Sequence, residues 1–354
     1  MLYSILNFCK KSSLLLTVFF ISTVAVSETR PPVLSFSDLI NGPDTGIGDG
    51  LGSGAIVTVW GFHLGASKLS STLEFCDSAS VCREGHIYYW KNADGLLPSG
   101  PANLYESHGM QEIAFSIPDS EAGLGIIKIN TSSGSSTLPF TIRPGQIFHI
   151  TSTGDDSTGD GSYNNPWKTI DRADNSNTGV PSGSTIYIHN VLTGTIDQTS
   201  KFGIYSNGNG SKSSLEAQYS YVAYPNTHPE IVAANGALGY NGGNPVRGLV
   251  ESKLSFYIAE ADEDADHQPI NSREQFSFGI YGSADGRIIG NFITDHYPLD
   301  INGGCPDAQQ GAIVSGVGSG DKASNLKVFG NEIKEYGCDG TNRQHHTTYF
   351  TIRG

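Results

Sequence analysis

An all-β fold is predicted by three features of the sequence. Glycine occurs 44 times in 354 residues and methionine 2 times, a composition that suits turns better than long helices. Short segments rich in Val, Ile, Thr, Tyr and Phe alternate with clusters of Gly, Asn, Asp and Ser, which is the pattern of strands separated by turns. Long runs of helix-forming residues are nearly absent. The length allows about two domains at roughly 100–200 residues each.

The charge balance is acidic, with 21 Lys and Arg against 35 Asp and Glu and a formal net charge of -14. Phosphates and anionic lipids are repelled by such a surface, so we expect no nucleic-acid partner. Divalent cations are compatible with it.

Residues 1–27 are typical of a secretory signal. Lys10 and Lys11 precede an apolar run at residues 14–26, and Ala25-Val26-Ser27 fits a small-x-small cleavage site. A membrane anchor is the alternative, but the run is shorter than the ~20 residues that a membrane span needs. The sequence therefore predicts a mature chain that begins near Glu28, has no membrane span and is secreted to the extracellular space or the periplasm.

Residues 28–144 are predicted to form one β-sandwich, because strand-like segments follow one another at hairpin spacing with alternating inward and outward residues. The segments "PPVLSF" (31–36) and "VTVWGFHLG" (57–65) resemble the opening strand and the strand-turn motif of the IPT/TIG family of immunoglobulin-like domains. The resemblance implies a spacer or a binding module, and it implies no chemistry.

Residues 145–354 differ in pattern, and they contain an approximate repeat. The segment "GRIIGNFITDH" (286–296) matches "LKVFGNEIKEY" (326–336), with Gly290 and Gly330 offset by 40 residues. Units this short cannot bury an apolar face alone, whereas stacked units can, which is the principle of a solenoid. Because Asn291 and Asn331 occupy the same position of the repeat, we expect their side chains to stack on one another at a turn. Coincidence among unrelated strands is the alternative.

A second resemblance concerns the start of this region. The segments "TGDDSTGDGSYNNPWKTIDRA" (153–173) and "VPSGSTIYIHN" (180–190) resemble the first coil of secreted right-handed parallel β-helices of the pectate-lyase-like type. In this arrangement a short amphipathic helix closes the open end of the solenoid. We expect Trp167, Ile170 and Ala173 to point inward, with Lys168, Asp171 and Arg172 pointing outward.

The other end of the chain departs from that family. The sequence stops at the strand-like "TTYFTIRG" (347–354) without a capping segment, although a solenoid normally has one. We therefore expect either a C-terminally truncated chain or a last coil that pairs with something else.

An acidic loop at the start of the second region is a candidate calcium site. Asp155, Asp156 and Asp160 offer hard oxygen ligands among glycines, which suits Ca²⁺ as the cofactor, although the spacing is not that of an EF-hand. The alternative is a solvated loop in which the carboxylates cap backbone amides.

The β-helix resemblance implies a long groove that suits an extended polysaccharide. Cleavage of a uronic-acid polymer by β-elimination needs a cation to neutralise the substrate carboxylate and a base to remove the C5 proton. The candidate catalytic residues are Arg343, His345, His346 and Tyr349. In a strand, His345 and Tyr349 share one face and His346 faces the other way. A structural turn with a partly buried histidine is the alternative.

Substrate contacts are expected from a further set of residues, namely Asp295, His296, Asp300 and Asp339. A hydrolase would need two carboxylates in acid and base roles, and Asp300 with Asp307 is the candidate pair. Nothing in their spacing requires that role.

Cys9 belongs to the signal segment, which leaves four cysteines in an oxidising compartment and predicts two disulfides. Cys76 and Cys82 bracket a hairpin-sized loop and are expected to pair. Cys305 and Cys338 then pair by elimination. A zinc site is the alternative, but CxxC spacing is absent.

These observations together predict a secreted two-domain all-β protein that binds an acidic polysaccharide and cleaves it by β-elimination. A non-catalytic carbohydrate-binding or surface-adhesion protein is the alternative, since it would account for the immunoglobulin-like partner domain.

Overall fold

The structure is a computed structural model, and the ranges it describes are residues 30–93, 97–98, 105–106, 109–174, 180–189, 214–227, 229–233, 248–258, 274–279, 285–295, 309–315, 325–334 and 345–350. The signal segment predicted at residues 1–27 lies outside these ranges. The prediction of an all-β protein is confirmed, since the described residues form strands and a single short helix, α1 (Ile170–Asp174). Within the same ranges, no helix is long and apolar enough to cross a membrane.

The N-terminal unit, residues 30–142, consists mainly of two sheets with strand orders β1-β3-β9-β6 and β2-β11-β10-β4-β5. A separate pair is formed by β7 and β8. The strands are β1 (Val33–Ser37), β2 (Asn41–Gly42), β3 (Ile56–Phe62), β4 (Thr72–Cys76), β5 (Cys82–Glu84), β6 (Ile87–Asn92), β7 (Leu97–Pro98), β8 (Tyr105–Glu106), β9 (Gln111–Ser116), β10 (Gly123–Thr131) and β11 (Gly134–Ile142).

The hydrophobic pattern explains how the two sheets meet. Along β10, Ile127 and Ile129 are fully buried while Leu124 and Ile126 are exposed, as period-2 alternation requires of a strand with one buried face. Buried residues of both sheets form one apolar core, and all pairings except β2 with β11 are antiparallel. The two sheets are thus held together by a shared core.

The C-terminal unit, residues 147–350, is built from parallel strands. They are β12 (Ile147–Ile150), β13 (Thr185–Ile188), β14 (Ser220–Ala223), β15 (Glu230–Ala233), β16 (Val250–Ser252), β17 (Ser255–Ile258), β18 (Glu274–Gly279), β19 (Arg287–Ile289), β20 (Phe292–Asp295), β21 (Gln309–Ser315), β22 (Lys327–Phe329), β23 (Glu332–Lys334) and β24 (His345–Phe350). Their sheets have the orders β12-β13-β14-β16-β19-β22, β15-β17-β20-β23 and β18-β21-β24, and each sheet is open. From β16 to β24 the strands form three consecutive groups of three, and each group contributes one strand to each of the three sheets.

The predicted repeat occupies equivalent positions in this arrangement. Gly290 and Gly330 have φ values of 66° and 63° at the turns after β19 and β22. The next residue, Asn291, donates through its backbone N–H and its Nδ2 to Oδ1 of Asn331, each at 3.0 Å. The asparagines therefore form the stacked polar position that the repeat predicted.

The segment after β12 packs into the C-terminal core. Trp167, Ile170 and Ala173 are buried there, as predicted, and Trp167 stacks on Phe148 with ring centroids 4.6 Å apart. Arg172 differs from the prediction, because it is half-buried and its guanidinium lies 5.7 Å from the centre of the Trp167 ring. The indole face offers the cation a favourable contact, which an outward side chain would lose.

From β12 to β19 the first sheet of the C-terminal unit is largely buried on both faces, whereas Phe329 of β22 is 40% exposed. One face contributes Ile150, Ile186, Ile188, Tyr221 and Ala223 to the C-terminal core. The opposite face contributes Ile147, Tyr187, Val222 and Val250 to the core of the N-terminal unit. The N-terminal unit therefore covers the outer face of this sheet, and residues of both units share one core.

Candidate functional site

The predicted catalytic segment lies on β24, at the edge of the β18-β21-β24 sheet. His345 is in register with Gln310, which is in register with Gln275. His346 is in register with Gly311, and Tyr349 with Val314. Equivalent positions on parallel strands stack about 4.8 Å apart, so each set forms a row across the sheet.

The register separates the predicted catalytic residues into two faces. By strand alternation His345 and Tyr349 share the face of the glutamine row, whereas His346 belongs to the other face. The alternate positions of the three strands contain polar as well as apolar residues, namely Glu274, Phe276, Phe278, Gln309, Gly311, Ile313, Ser315, Thr348 and Phe350. His346 is therefore separated from the polar row that contains His345.

Of the four residues predicted to contact substrate, only Asp295 lies within the described ranges. Asp295 is the last residue of β20 and is in register with Ile258. The residues that lie outside the described ranges are His296, Asp300, Cys305, Asp307, Cys338, Asp339 and Arg343.

The proposed calcium ligands are used as caps of the backbone. Oδ1 of Asp155 accepts from the amides of Ser157 and Thr158 at 2.7 and 2.9 Å. Oδ1 of Asp160 accepts from the amide of Ser162 at 2.9 Å. Backbone amides, first that of Thr158 and then that of Ser157, lower the pKa of Asp155, and hydrogen bonds from Ser162 lower that of Asp160.

Asp156 caps a different segment, accepting from the amides of Lys168 and Thr169 at 2.8 and 3.0 Å. In the ranges that the structure describes, the only three potential ligand residues whose donor atoms lie within 4.8 Å of one another are Glu74, Cys76 and Cys82. The three aspartates thus do not form one ligand set for Ca²⁺, and we derive no chemical step through calcium.

The pairing predicted for the first two cysteines is present. Cys76 on β4 and Cys82 on β5 form a disulfide and are directly opposite in the hairpin. Since both sulfurs are oxidised, they are not thiolate ligands for a metal near Glu74.

A histidine pair lies where the two units meet. Nε2 of His149 is 2.8 Å from the carbonyl oxygen of Ile47, and its Nδ1 is 2.8 Å from Nε2 of His189. A carbonyl only accepts, so His149 donates through Nε2 and, when neutral, accepts from His189 through Nδ1. Burial lowers the pKa of His149 to about 4 and that of His189 to about 3. Tyr224 stacks on His189 with ring centroids 4.1 Å apart.

Asp49 lies beside this pair and connects the two units. Its Oδ2 accepts hydrogen bonds from the hydroxyls of Tyr88 and Tyr224, and its Oδ1 accepts from the amides of Leu51 and Gly52. Burial raises its pKa, but the hydrogen bonds outweigh that effect and lower the pKa below its usual value. The pKa values of Tyr88 and Tyr224 are raised mainly by burial and next by the hydrogen bond to Asp49 and its negative charge. Both hydroxyls are therefore protonated donors.

A buried carboxylate with two ammonium partners forms the second polar cluster at this junction. Glu112 is 1% exposed, and its oxygens lie 3.2 Å from Nζ of Lys91 and 3.1 Å from Nζ of Lys253. The indole Nε1 of Trp60 also donates to it at 3.0 Å. Lys253 belongs to the C-terminal unit, so this cluster too connects the units.

The sequence reasoning did not identify either junction cluster. One signal was present, because "VESKLSFYI" (250–258) aligns with "RIIGNFITD" (287–295) and places Lys253 where Gly290 stands. Lys253 has a φ of 60°, a conformation that usually favours glycine. A lysine at a repeated glycine position is a departure that indicates a specific role for its side chain.

Comparisons with protein-family models, with curated proteins and with solved structures find no match for this chain.

Proposed function

We propose that this chain is a secreted polysaccharide-active protein whose C-terminal unit is a right-handed parallel β-helix and whose N-terminal unit is an immunoglobulin-like β-sandwich. The proposed activity is β-elimination of a uronic-acid polymer. Its substrate surface is the face of the β18-β21-β24 sheet that contains the row of Gln275, Gln310 and His345.

The register of β24 is the observation that carries this proposal. Glutamine and histidine side chains hydrogen-bond both as donors and as acceptors, which suits the hydroxyl groups of a sugar. Because the row repeats with the strand spacing of about 4.8 Å, an extended polymer can meet equivalent groups in succession. Tyr349, four residues along β24, lies on the same face and adds an aromatic residue with a hydroxyl.

The reaction requires a proton to leave C5 of the uronate while the bond from C4 to the glycosidic oxygen breaks. We assign His345 as the base that takes this proton, since an imidazole titrates near neutral pH. Tyr349 protonates the leaving oxygen, and the electron pair of the broken C–H bond forms the C4–C5 double bond. Arg343 neutralises the uronate carboxylate, whose charge otherwise opposes removal of the proton. His346 has no role in this scheme because it belongs to the opposite face.

Carbohydrate binding without cleavage is the second candidate function. It is favoured by the way the N-terminal unit covers the first parallel sheet, because a shared core gives a rigid composite suited to adhesion. Both candidates use the same polar face, and they differ only in whether a bond of the polymer is broken.

The test uses the secreted chain with a series of uronic-acid polymers and follows the ultraviolet absorbance of the unsaturated product. We expect His345→Gln and Tyr349→Phe to lower the rate at least a hundredfold, the lower limit of the usual range of about 10²–10⁴ for loss of an acid or base. The matched control is His346→Gln, which should keep the rate. A rate that survives His345→Gln would overturn the assignment of the base. Binding of a polymer without any product would support the second candidate, and a chelator titration would report separately on calcium.

A further inference from the structure

A cleft of about 150 Å³ lies where the two units meet, away from the β18-β21-β24 sheet. Residues of β3 and β6 in the N-terminal unit line it together with residues of β14 and of the turn that follows β14. None of the lining residues comes from β18, β21 or β24, so the cleft is distinct from the proposed catalytic face.

The turn after β14 is longer than the corresponding turns of the C-terminal unit. β14 ends at Ala223 and β15 begins at Glu230, so six residues separate the two strands. Two residues separate β16 from β17, β19 from β20 and β22 from β23. Residues 224–227 of the longer turn all line the cleft. Added loop residues on an otherwise regular array of strands often form a binding surface, because the strands hold the loop in place.

Thr58 presents to this cleft a buried hydroxyl that lacks a partner. The residue is 4% exposed, and it lines the cleft. Its backbone amide and carbonyl both bond to Asp38, but within the described residues its hydroxyl makes no hydrogen bond. A buried polar group without a partner costs stability, so each such group needs an explanation. A hydroxyl-bearing ligand in the cleft would supply the missing partner.

A small residue on the middle strand leaves room beside this hydroxyl. Thr58 of β3 and Tyr89 of β6 are both in register with Ala114 of β9. Glu112, two residues earlier on β9, is bound by Lys91, which lines the cleft. By strand alternation Ala114 shares the face of Glu112 and therefore lies between Thr58 and Tyr89. Its methyl group fills little of the space that separates the hydroxyl from the tyrosine.

The size and the apolar part of the lining restrict the ligand. A volume near 150 Å³ holds about five waters at ~30 Å³ each, and it is below the ~300 Å³ at which pockets for drug-sized molecules begin. The cleft therefore suits one ring-sized group. Apolar surface for such a ring is offered by Ile56, Val222, Pro225 and the rings of Tyr89 and Tyr224.

The polar part of the lining is divided between groups that already have partners and groups that have none. The hydroxyl of Tyr224 donates to Asp49 at 2.8 Å, and that of Thr227 donates to the carbonyl of Tyr224 at 2.6 Å. The hydroxyl of Thr58 and the exposed side-chain amide of Asn226 make no hydrogen bonds within the described residues. Both groups are neutral, and each can donate and accept, which matches the hydroxyl groups of a sugar.

We propose that this junction cleft is a binding subsite for a single sugar ring, which it recognises through hydroxyl groups and an apolar face rather than through a carboxylate. The choice of a sugar among small hydroxyl-bearing molecules rests on the proposed function. Recognition is assigned to Thr58 and Asn226 and not to the charge of the lysines. A ring held here would keep the polymer on the protein, since a second contact acts at high effective concentration.

The experiment titrates the full chain with the methyl glycosides of glucose, galactose and mannose and with glucuronic acid, by calorimetry and NMR. We expect saturable binding of at least one methyl glycoside. Thr58→Val keeps the shape of the side chain and removes the hydroxyl, so it should weaken that binding about tenfold, equivalent to ~1.4 kcal/mol. Asn226→Gly suits the φ of 61° at this turn and should weaken binding about threefold, because water competes for an exposed amide.

Each variant has a matched control. Thr137→Val changes an exposed threonine of β11, and Asn325→Gly changes another exposed residue with a positive φ, and neither residue lines the cleft. These controls, and His345→Gln on the proposed catalytic face, should leave glycoside binding unchanged. Thermal unfolding of every variant establishes that it is folded, and Asn226→Gly keeps the test open if Thr58→Val is not.

Three results would overturn the inference: no saturable binding of any methyl glycoside, binding of glucuronic acid alone, or equal binding by the wild type and by both cleft variants. The outcome is separable from that of the proposed function. Polymer cleavage without glycoside binding would refute the cleft alone, and glycoside binding without polymer cleavage would refute the lyase proposal alone.

Discussion

The two units of this protein satisfy their polar groups by different means. In the N-terminal unit, all described strand pairs except β2 with β11 are antiparallel, and some, such as β10 with β11 across Thr131 and Gly134, are hairpins of strands adjacent in sequence. In the C-terminal unit, every pair among the described strands is parallel, and partners such as β19 and β22 are 40 residues apart. There a side chain beside one strand satisfies the backbone beside a neighbouring strand, as Asn291 does for the amide of Leu254 and the carbonyl of Glu251.

This difference indicates which substitutions should destabilise each unit. An antiparallel hairpin loses little when one surface residue changes, because the pairing is local. A unit of parallel strands depends on side chains that connect neighbouring strands and turns, and here also on those that connect it to the N-terminal unit. Substitutions at these connecting residues should therefore have larger effects than substitutions at the positions in register with them.

The largest effect is expected at Arg287, which is 8% exposed and crosses between the units. Its Nε donates to the carbonyl of Asp38 at 2.7 Å and its Nη2 donates to the carbonyl of Ser37. Arg287→Met should lower the free energy of unfolding by about 3–5 kcal/mol, since removal of one partner leaves buried acceptors unsatisfied. Denaturant titration measures this value. The control is Lys327→Met at the position in register on β22, and equal losses at the two positions would contradict the assigned role.

A smaller loss is expected in the asparagine ladder. Asn291 is 1% exposed and bonds to Leu254, Glu251 and Asn331. Asn291→Ala should cost about 2–3 kcal/mol of unfolding free energy, because several buried backbone groups lose their partners. Asn325→Gly is the control, since Asn325 is exposed with a φ of 49° that glycine accepts. Denaturation midpoints that match for the two variants would show that the ladder does not stabilise the stack.

Glu251 should respond in the opposite direction, because its replacement is expected to stabilise the protein. It is 2% exposed, its Oε1 has no hydrogen-bond partner, and burial raises its pKa well above the usual value. A raised carboxyl pKa gives stability that is complete below the unfolded pKa, near 4.5, and is lost as pH rises. Glu251→Gln should therefore gain about 1.4 kcal/mol over the wild type per pH unit above that value, or ~2 kcal/mol at pH 6.

The measurement is denaturant unfolding at several pH values, with Glu332→Gln on the exposed surface of β23 as the control. A difference between the wild type and Glu251→Gln that does not change with pH would show that Glu251 is ionised in the folded protein.

The smallest effect, when it is measured at pH 5.5, is expected at the histidine pair of the junction. Burial lowers the pKa of His149 from 6.5 to about 4, so the unfolded chain binds more protons in this window and stability falls as pH drops through it. His149→Gln retains one donor and one acceptor but does not titrate. Its advantage over the wild type should be about 1.4 kcal/mol larger at pH 5.5 than at pH 7.5.

Only the difference between wild type and variant isolates this contribution. Burial raises the pKa of Asp38 to about 6, and its stabilising contribution is lost as pH rises between 3.8 and 6, which opposes the histidine effect. A pH-independent difference would contradict the neutral histidine pair.

The sequence by itself determined the all-β class, the disulfide between Cys76 and Cys82, the burial of Trp167, Ile170 and Ala173 and the stacked asparagines. Each of these depends on local spacing or on a repeat, which a sequence displays directly. Helix-sized hydrophobic periodicity was absent, and alternation within short segments predicted the buried faces of strands such as β10.

Tertiary structure alone decided how the two units meet. Val222 and Val250 are buried in the core of the N-terminal unit rather than in that of the C-terminal unit, and no pattern within a strand distinguishes the two kinds of burial. Glu112 and Lys253 are 141 residues apart in the chain, and their 3.1 Å contact exists only because the sheets are packed together. The reason is physical: side-chain alternation predicts which residues of a strand share a face, but long-range packing decides what that face contacts.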